Sequence, residues 1–185
     1  MCGEESVYRI LWAPWRMQYI VKEAGGKREG CVFCEAPSMD DREALIVYRG
    51  RYAYVILNKY PYNTGHLMVV PYRHVASIED LTMEELEEVT VLVRASVKAL
   101  RKEYRPHAFN VGANIGEAAG AGIAGHFHIH VLPRWCGDTN YTAILARTKV
   151  LPEDLGRTWE RLRPVMEEVC EEDCRKWREG STTST

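Results

Sequence analysis

The sequence lacks any apolar run approaching the roughly 18 residues that are needed to cross a bilayer. Its opening residues, Met1 to Glu5, are too acidic to begin a signal peptide, so a cytoplasmic protein without a membrane segment is expected. Net charge is also small, −2 over 185 residues. A dedicated nucleic-acid-binding protein carries a basic field, so any nucleotide bound here is expected to be small. Internal repeats are absent, and the Ser/Thr tail, residues 181–185, is predicted to be disordered.

Three histidines at alternate positions are the most informative feature that is present. His126, His128 and His130 are separated by large apolar residues, and a strand would place all three on one face. The glycine-rich segment 114–125 comes just before them, and such a run lets backbone N–H groups approach an anion closely. The pattern predicts a phosphate loop that leads into a functional strand. Histidines on a solvated face, or a three-histidine catalytic metal site, are the alternatives.

The segment His126 to Leu132 matches the signature His-φ-His-φ-His-φ-φ, where φ is apolar. The chain therefore resembles the histidine triad nucleotide-binding proteins over roughly residues 10 to 150. Residues 11–20 (LWAPWRMQYI) and 133–141 (PRWCGDTNY) are most similar to the prokaryotic diadenosine tetraphosphate phosphorylase branch. The resemblance implies an α+β, HIT-like fold, with an antiparallel sheet of about five strands covered by helices, in a homodimer. We expect a single domain over residues 1–180, with its core at about 30–135.

The resemblance also implies a reaction. His128 would attack the α-phosphorus of a nucleoside polyphosphate to give a covalent nucleotidyl-histidine, while His130 and His66 contact phosphate oxygens or the leaving group. Diadenosine tetraphosphate and inorganic phosphate would give ADP and ATP. The alternatives are hydrolysis of nucleoside phosphoramidates or dinucleoside polyphosphates, or a non-catalytic nucleotide sensor or adaptor. The implied nucleotide-binding residues, for ligands such as AMP and ATP, are Asn58, Asn114, Gly120, Gly122 and Trp135.

Two positions bear on the details of nucleotide binding. Asn58 would bind ribose hydroxyls by the resemblance, although from local sequence it could equally begin a turn. Gly122 stands where the hydrolase branches often carry glutamine, which leaves phosphate contacts to the backbone. The side chains of Arg134 and Trp135 are further candidate donors to a phosphate acceptor.

The sequence Cys31-Val32-Phe33-Cys34 is a C-x-x-C pair, which offers half of a tetrahedral zinc site. A redox pair or two free structural thiols are the alternatives. In zinc-bearing relatives of the resembled family, one histidine after the first hairpin and the first triad histidine complete the site. The resemblance therefore implies structural zinc held by Cys31, Cys34, His74 and His126.

Periodicity predicts the secondary structure around these residues. Strands are expected at 44–48, 52–58, 66–71 and 108–111 and at the triad, and Thr82 should cap a helix that runs to about Glu103. A second helix is expected over 153–179, kinked or restarted at Pro164, with Cys170 and Cys174 as packed thiols. The aromatic segment 11–20 should pack on the sheet or on a partner subunit, and 141–146 is a candidate extra strand.

Overall fold

The computed structural model describes residues 30–138 and 151–181, and its centre is an antiparallel sheet. Five strands lie in the order β1-β2-β3-β5-β4, which confirms the predicted fold class. β2 pairs with β3 without a break, and β3 pairs with β5. The strand bounds are β1 Ile46–Arg49, β2 Ala53–Leu57, β3 Leu67–Pro71, β4 Ala108–Gly112 and β5 Ile129–Arg134.

One face of the sheet is covered by the long helix α3, Met83–Tyr104. Its start is fixed by the predicted capping box, in which Thr82 accepts from the Glu85 N–H and the Glu85 carboxylate accepts from the Thr82 N–H. Apolar residues recur at helical spacing and pack against alternate strand residues, which forms the main core. Its fully buried members include Val55, Leu57, Leu67, Val69, Val89, Leu92, Leu100 and Val131.

The C-terminal helix α4, Leu155–Ser181, adds to the same core. Leu162 and Met166 are fully buried, and the indole N–H of Trp159 donates to the carbonyl oxygen of Ile46 at 2.8 Å. The helix continues through Pro164, so the predicted restart is wrong, while the predicted kink stays a prediction. Pro164 is exposed, which means that the carbonyl its missing N–H leaves unbonded lies at the solvent side. Among the described residues, no helix is long and apolar enough to span a membrane.

The opposite face of the sheet carries a second, smaller cluster and the histidines. Two short helices, α1 (Val32–Glu35) and α2 (Asp41–Ala44), lie before β1, with a short 3-10 helix between them. Phe33 of α1 packs with the sheet residues Ile46, Tyr54, Ile56, Met68 and Val70.

Some expectations concern residues outside the described ranges. These are the aromatic segment 11–20, the candidate strand 141–146 and the end of the tail after Ser181. The side chain of Cys174 is also outside the description, whereas Cys170 is buried, as predicted.

Candidate active site and metal centre

The three triad histidines do not share one strand. His130 lies within β5, where it pairs with Met68 of β3. His126 and His128 precede the strand, which begins at Ile129. The prediction of a single strand that carries all three is therefore wrong.

The departure has a local cause. β3 pairs with β5 only from Leu67 to Val69, and the Phe127 N–H donates at 2.6 Å to the carbonyl oxygen of Val75, which follows β3. His126 and His128 nevertheless stay inside the protein, with exposed fractions of 0% and 5%. Each buried ring nitrogen then needs a specific partner, and those partners define what each histidine can do.

The His128 ring is held as the tautomer that a nucleophile requires. Its Nδ1 lies 2.9 Å from the carbonyl oxygen of His126, and a carbonyl only accepts, so Nδ1 carries the proton. The Nε2 of the neutral ring is then unprotonated. Burial lowers the pKa of His128 below its usual range, which outweighs the opposing effect of that hydrogen bond. The ring is therefore neutral near pH 7 and presents a lone pair on Nε2.

His130 and His66 form a short hydrogen-bonded relay. The Tyr62 N–H donates to His66 Nδ1 at 3.2 Å, so in the neutral ring the proton is on Nε2. That Nε2 lies 3.0 Å from Nδ1 of His130 and donates to it. The Nε2 of His130 consequently carries a proton and is a hydrogen-bond donor. His66 itself is fully buried, behind His130.

The four residues expected to bind zinc come together. The candidate ligand atoms of Cys31, Cys34, His74 and His126 all lie within 4.8 Å of one another. Sγ of Cys31 is 3.3 Å from His126 Nδ1, and Sγ of Cys34 is 3.3 Å from His74 Nδ1 and 3.6 Å from His126 Nδ1. Bonds of about 2.0–2.3 Å to a tetrahedral zinc place ligand atoms roughly 3.3–3.8 Å apart. The residues therefore fit the ion in number, type and spacing.

The His126 ring is prepared for this use. Its Nε2 lies 2.9 Å from the carbonyl oxygen of Pro71 and therefore carries the proton, which leaves Nδ1 bare on the cysteine side. Burial lowers the pKa of His126, as do, less strongly, the neighbouring His74 and His128 rings. A neutral imidazole whose other nitrogen donates to a carbonyl is the usual form of a zinc-binding histidine.

The glycine-rich segment runs from β4 to His126 as an exposed loop. Gly116 and Gly120 have φ of 82° and 83°, a conformation that favours glycine, and they flank a 3-10 turn, Glu117–Ala119. The Gly120 N–H donates to Glu117 within this turn at 2.9 Å, so the structure directs that amide into the loop. The Asn114 side chain reaches across the loop to the Gly120 carbonyl oxygen at 3.4 Å. Gly122 is exposed.

The remaining predicted contacts are placed less directly. Asn58 begins a turn, because its Oδ1 accepts from the Tyr60 N–H at 2.9 Å, which leaves the side-chain NH₂ and a second Oδ1 lone pair for a ribose contact. Trp135 is half-buried directly after β5. The Arg134 guanidinium donates to Asp138 at 2.6 and 3.0 Å and to Asn110 at 2.8 Å. Three of its five N–H donors are therefore used within the protein.

Two site-forming residues were missed from the sequence. The side-chain N–H groups of Asn63, a buried residue in the turn before β3, donate to the Pro133 carbonyl oxygen at 3.0 Å and to Asp138 at 2.8 Å. The Arg134 guanidinium and then the Asn63 amide hold the pKa of Asp138 well below its usual range, against the effect of burial. These contacts hold the turn that contains His66 against the end of β5. A separation of 75 residues between Asn63 and Asp138 gives no sequence signal.

Comparison with known proteins agrees with this geometry. Residues 40–136 match the HIT domain. The chain belongs to the histidine triad family. A histidine triad relative from Mycobacterium tuberculosis named AP-4-A phosphorylase is 44% identical over 163 residues, which is 84% of this chain and 83% of the relative.

Two solved histidine triad structures support the fold. A Zn-bound family protein from Mycobacterium smegmatis has a TM-score of 0.62 at 23% identity, covering 77% of this chain and 96% of its own. A hypothetical histidine triad nucleotide-binding protein from Sulfolobus tokodaii has a TM-score of 0.59 at 27% identity, covering 76% and 92%. Both likenesses extend over most of the chain, and they confirm the α+β fold.

Proposed function

We propose that the chain is a nucleotidyltransferase that cleaves diadenosine polyphosphates, preferably by phosphorolysis of diadenosine tetraphosphate to ADP and ATP. The observation that carries the proposal is the unprotonated Nε2 of a buried, neutral His128. An imidazole with one nitrogen fixed as N–H is a good nucleophile at phosphorus. The choice of substrate is supported by the 44% identity to a protein named AP-4-A phosphorylase.

The reaction has two balanced steps. The lone pair on Nε2 of His128 forms a bond to the α-phosphorus, the bond from that phosphorus to its bridging oxygen breaks, and ATP leaves. An oxygen of inorganic phosphate then bonds to the same phosphorus, the P–N bond breaks, and ADP leaves. His130 Nε2–H suits a phosphate oxygen, on which negative charge develops in both steps.

Nucleotide contacts follow from the surroundings of the triad. We propose that the Asn58 amide binds ribose, while the backbone around Gly122 and the loop closed by Asn114 and Gly120 approach the phosphates. Trp135 offers an indole face and an N–H at the end of β5. Backbone N–H groups and Trp135 are the proposed donors to the phosphate acceptor, together with the N–H groups of Arg134 that its contacts with Asp138 and Asn110 leave over.

Zinc is proposed as a structural ion on Cys31, Cys34, His74 and His126, whose donor atoms fit a tetrahedral site. When bound, it contributes folding free energy and carries no reaction step. His126 would then serve the metal, while His128 serves phosphorus.

We also propose a cytoplasmic homodimer. β4 is an edge strand of the described sheet, and Val111 on it and Ile115 just beyond are 49% and 44% exposed, which suits burial against a second copy. Sedimentation equilibrium measures this association directly.

Product analysis tests the proposed reaction. Diadenosine tetraphosphate with millimolar phosphate should give ADP and ATP in equal amounts, and intact-protein mass spectrometry without phosphate should detect an adenylyl adduct. The matched control replaces phosphate with chloride at equal ionic strength. AMP and ATP as the main products in phosphate would instead make the protein a hydrolase, and tight AMP binding without turnover or adduct would make it a sensor.

A further inference from the structure

One residue connects the metal-binding segment to the nucleophile. Phe33 lies between Cys31 and Cys34, in the short helix α1, and is 4% exposed. Its backbone is fixed from the sheet, since the Tyr54 hydroxyl donates to the Phe33 carbonyl oxygen at 2.7 Å. The side chain therefore projects from a segment that is held in place on both sides.

The Phe33 ring packs against two triad histidines. Its centroid is 4.9 Å from that of His128, at an interplanar angle of 53°, and 5.4 Å from that of His126, at 74°. Such tilted and edge contacts are favourable for aromatic pairs. The nucleophile therefore has a flat apolar wall on one side.

The Phe33 ring restricts the orientation of the His128 ring in addition to the hydrogen bond at Nδ1. The bond from Nδ1 of His128 to the His126 carbonyl oxygen fixes one ring atom, at 2.9 Å. Rotation of a histidine ring about its Cβ–Cγ bond is only broadly restricted by intrinsic torsional preference. The rings of Phe33 and of His130, the latter with its centroid 4.8 Å from that of His128 at 78°, further restrict where the lone pair on Nε2 points.

We propose that Phe33 is a positioning residue, which holds the His128 imidazole so that Nε2 is directed at the α-phosphorus. This rests on the proposed function, in which Nε2 attacks phosphorus in line. Misplacing a reacting atom by about 1 Å can cost about a hundredfold in rate. Phe33 does not contact the reacting phosphorus and acts through the ring of His128.

Filling the smaller core cluster is the simpler explanation of the same residue, because Phe33 also packs with Ile46 and Tyr54. The two explanations differ in what is lost on substitution. If Phe33 only fills the core, its substitution lowers thermal stability alone. If Phe33 is a positioning residue, its substitution also lowers the rate of adduct formation and changes the tautomer of the His128 ring. Ile46→Val is the matched control, since Ile46 belongs to the same cluster but lies on β1, which two strands separate from β5.

The experiment compares wild type, Phe33→Leu and Ile46→Val as zinc-loaded full-length proteins. Measured are zinc per chain, melting temperature, the rate of adenylyl-adduct formation from diadenosine tetraphosphate, and the ¹⁵N spectrum of the histidine ring nitrogens. Phe33→Leu should keep its zinc but form the adduct about ten- to a hundredfold more slowly. Its His128 signals should shift toward a mixture of tautomers, and Ile46→Val should match wild type in both readouts.

A wild-type adduct rate and an unchanged His128 spectrum in Phe33→Leu would overturn the proposal. Should Phe33→Leu lose zinc or fail to fold, Phe33→Met, which fills similar volume without a planar ring, is measured against the same two criteria. If wild type itself forms no adduct, the proposed function fails. The ring-nitrogen spectra then still decide whether Phe33 orients His128.

Discussion

His126 and His128 are two residues apart, are both buried and have the same side chain, yet the fold gives them opposite tautomers. The His126 ring donates from Nε2 to the Pro71 carbonyl oxygen, so its Nδ1 is bare and faces two thiols. The His128 ring donates from Nδ1 to the His126 carbonyl oxygen, so its Nε2 is bare. A single backbone carbonyl in each case decides which nitrogen is available.

The comparison shows how one short segment can serve two kinds of chemistry. A metal ligand and a nucleophile both need a neutral imidazole, and burial lowers the pKa of both rings. What separates them is the surroundings of the bare nitrogen. Three further candidate ligands lie around Nδ1 of His126, which makes four and fits a closed structural site.

Of the changes that distinguish His126 from His128, removal of the proposed nucleophile His128 should have the largest effect on activity. We expect His128→Ala to lose several orders of magnitude in kcat while nucleotide affinity changes little, because ribose and phosphate contacts remain. Steady-state kinetics and calorimetric binding of AMP measure the two quantities. His107→Ala removes an exposed histidine outside the triad and should stay near wild type. Activity of His128→Ala above about a tenth of wild type would exclude the covalent route.

Removing a candidate zinc ligand from the site that contains His126 should lower folding stability more than it lowers turnover. Cys31→Ser should lower zinc from about one ion per chain and lower Tm by about 10 °C or more, since about 1 kcal/mol corresponds to about 2–4 °C for a domain of this size. The turnover of the protein that remains folded should fall less, because His128 stays in place.

Metal analysis and calorimetry test the zinc prediction, with Cys136→Ser, at an exposed thiol outside the cluster, as the control. Wild-type protein purified without chelator that contains no zinc would remove the metal assignment altogether.

The smallest expected effect is on the free energy of unfolding, and it comes from weakening the contacts that hold the turn containing His66 against β5. The pKa of Asp138 is lowered in the folded protein, chiefly by Arg134, so its charged form stabilises the fold at neutral pH. This contribution is present above the unfolded value of about 3.9 and is lost as pH falls through the lower folded value. Asp138→Asn should therefore cost about 1–3 kcal/mol at pH 7, and the difference from wild type should shrink at pH 3.

Urea unfolding at both pH values measures this difference, with the exposed Asp80→Asn as a baseline. A difference that does not change between pH 7 and pH 3 would show that the carboxylate charge is not what matters.

The sequence predicted those parts of the fold and site that depend on local spacing. The helix from Thr82 and the five strands were predicted from local patterns, and the cluster of four candidate zinc ligands was predicted through the family resemblance. Tautomers could not be predicted, because they depend on the carbonyl oxygens of Pro71 and His126 meeting particular ring nitrogens. The place of His66 behind His130 and the pairing of Arg134 with Asp138 depend likewise on how the β2–β3 turn and the end of β5 pack.

The alternation of histidines also misled in one respect. A period of two describes extended backbone, and it gives no information on whether a neighbouring strand is present to pair with it. Phe127 pairs with Val75, outside the sheet, so the first two histidines stand beyond the ladder. Because His126 lies outside the paired strands, its carbonyl oxygen can accept a hydrogen bond from the ring of His128.

The C-terminal helix α4 lies outside the segment of the chain that matches the family. The match to the family ends at residue 136. Leu162 and Met166 lie further along the chain, in α4, and are fully buried against the sheet. Trp159 reaches β1, at the opposite edge from β4. The residues that complete the main core therefore extend beyond the segment that matches the family. A fragment that ends at residue 136 would keep the histidines but would lose the apolar cover that α4 gives to the opposite face of the sheet.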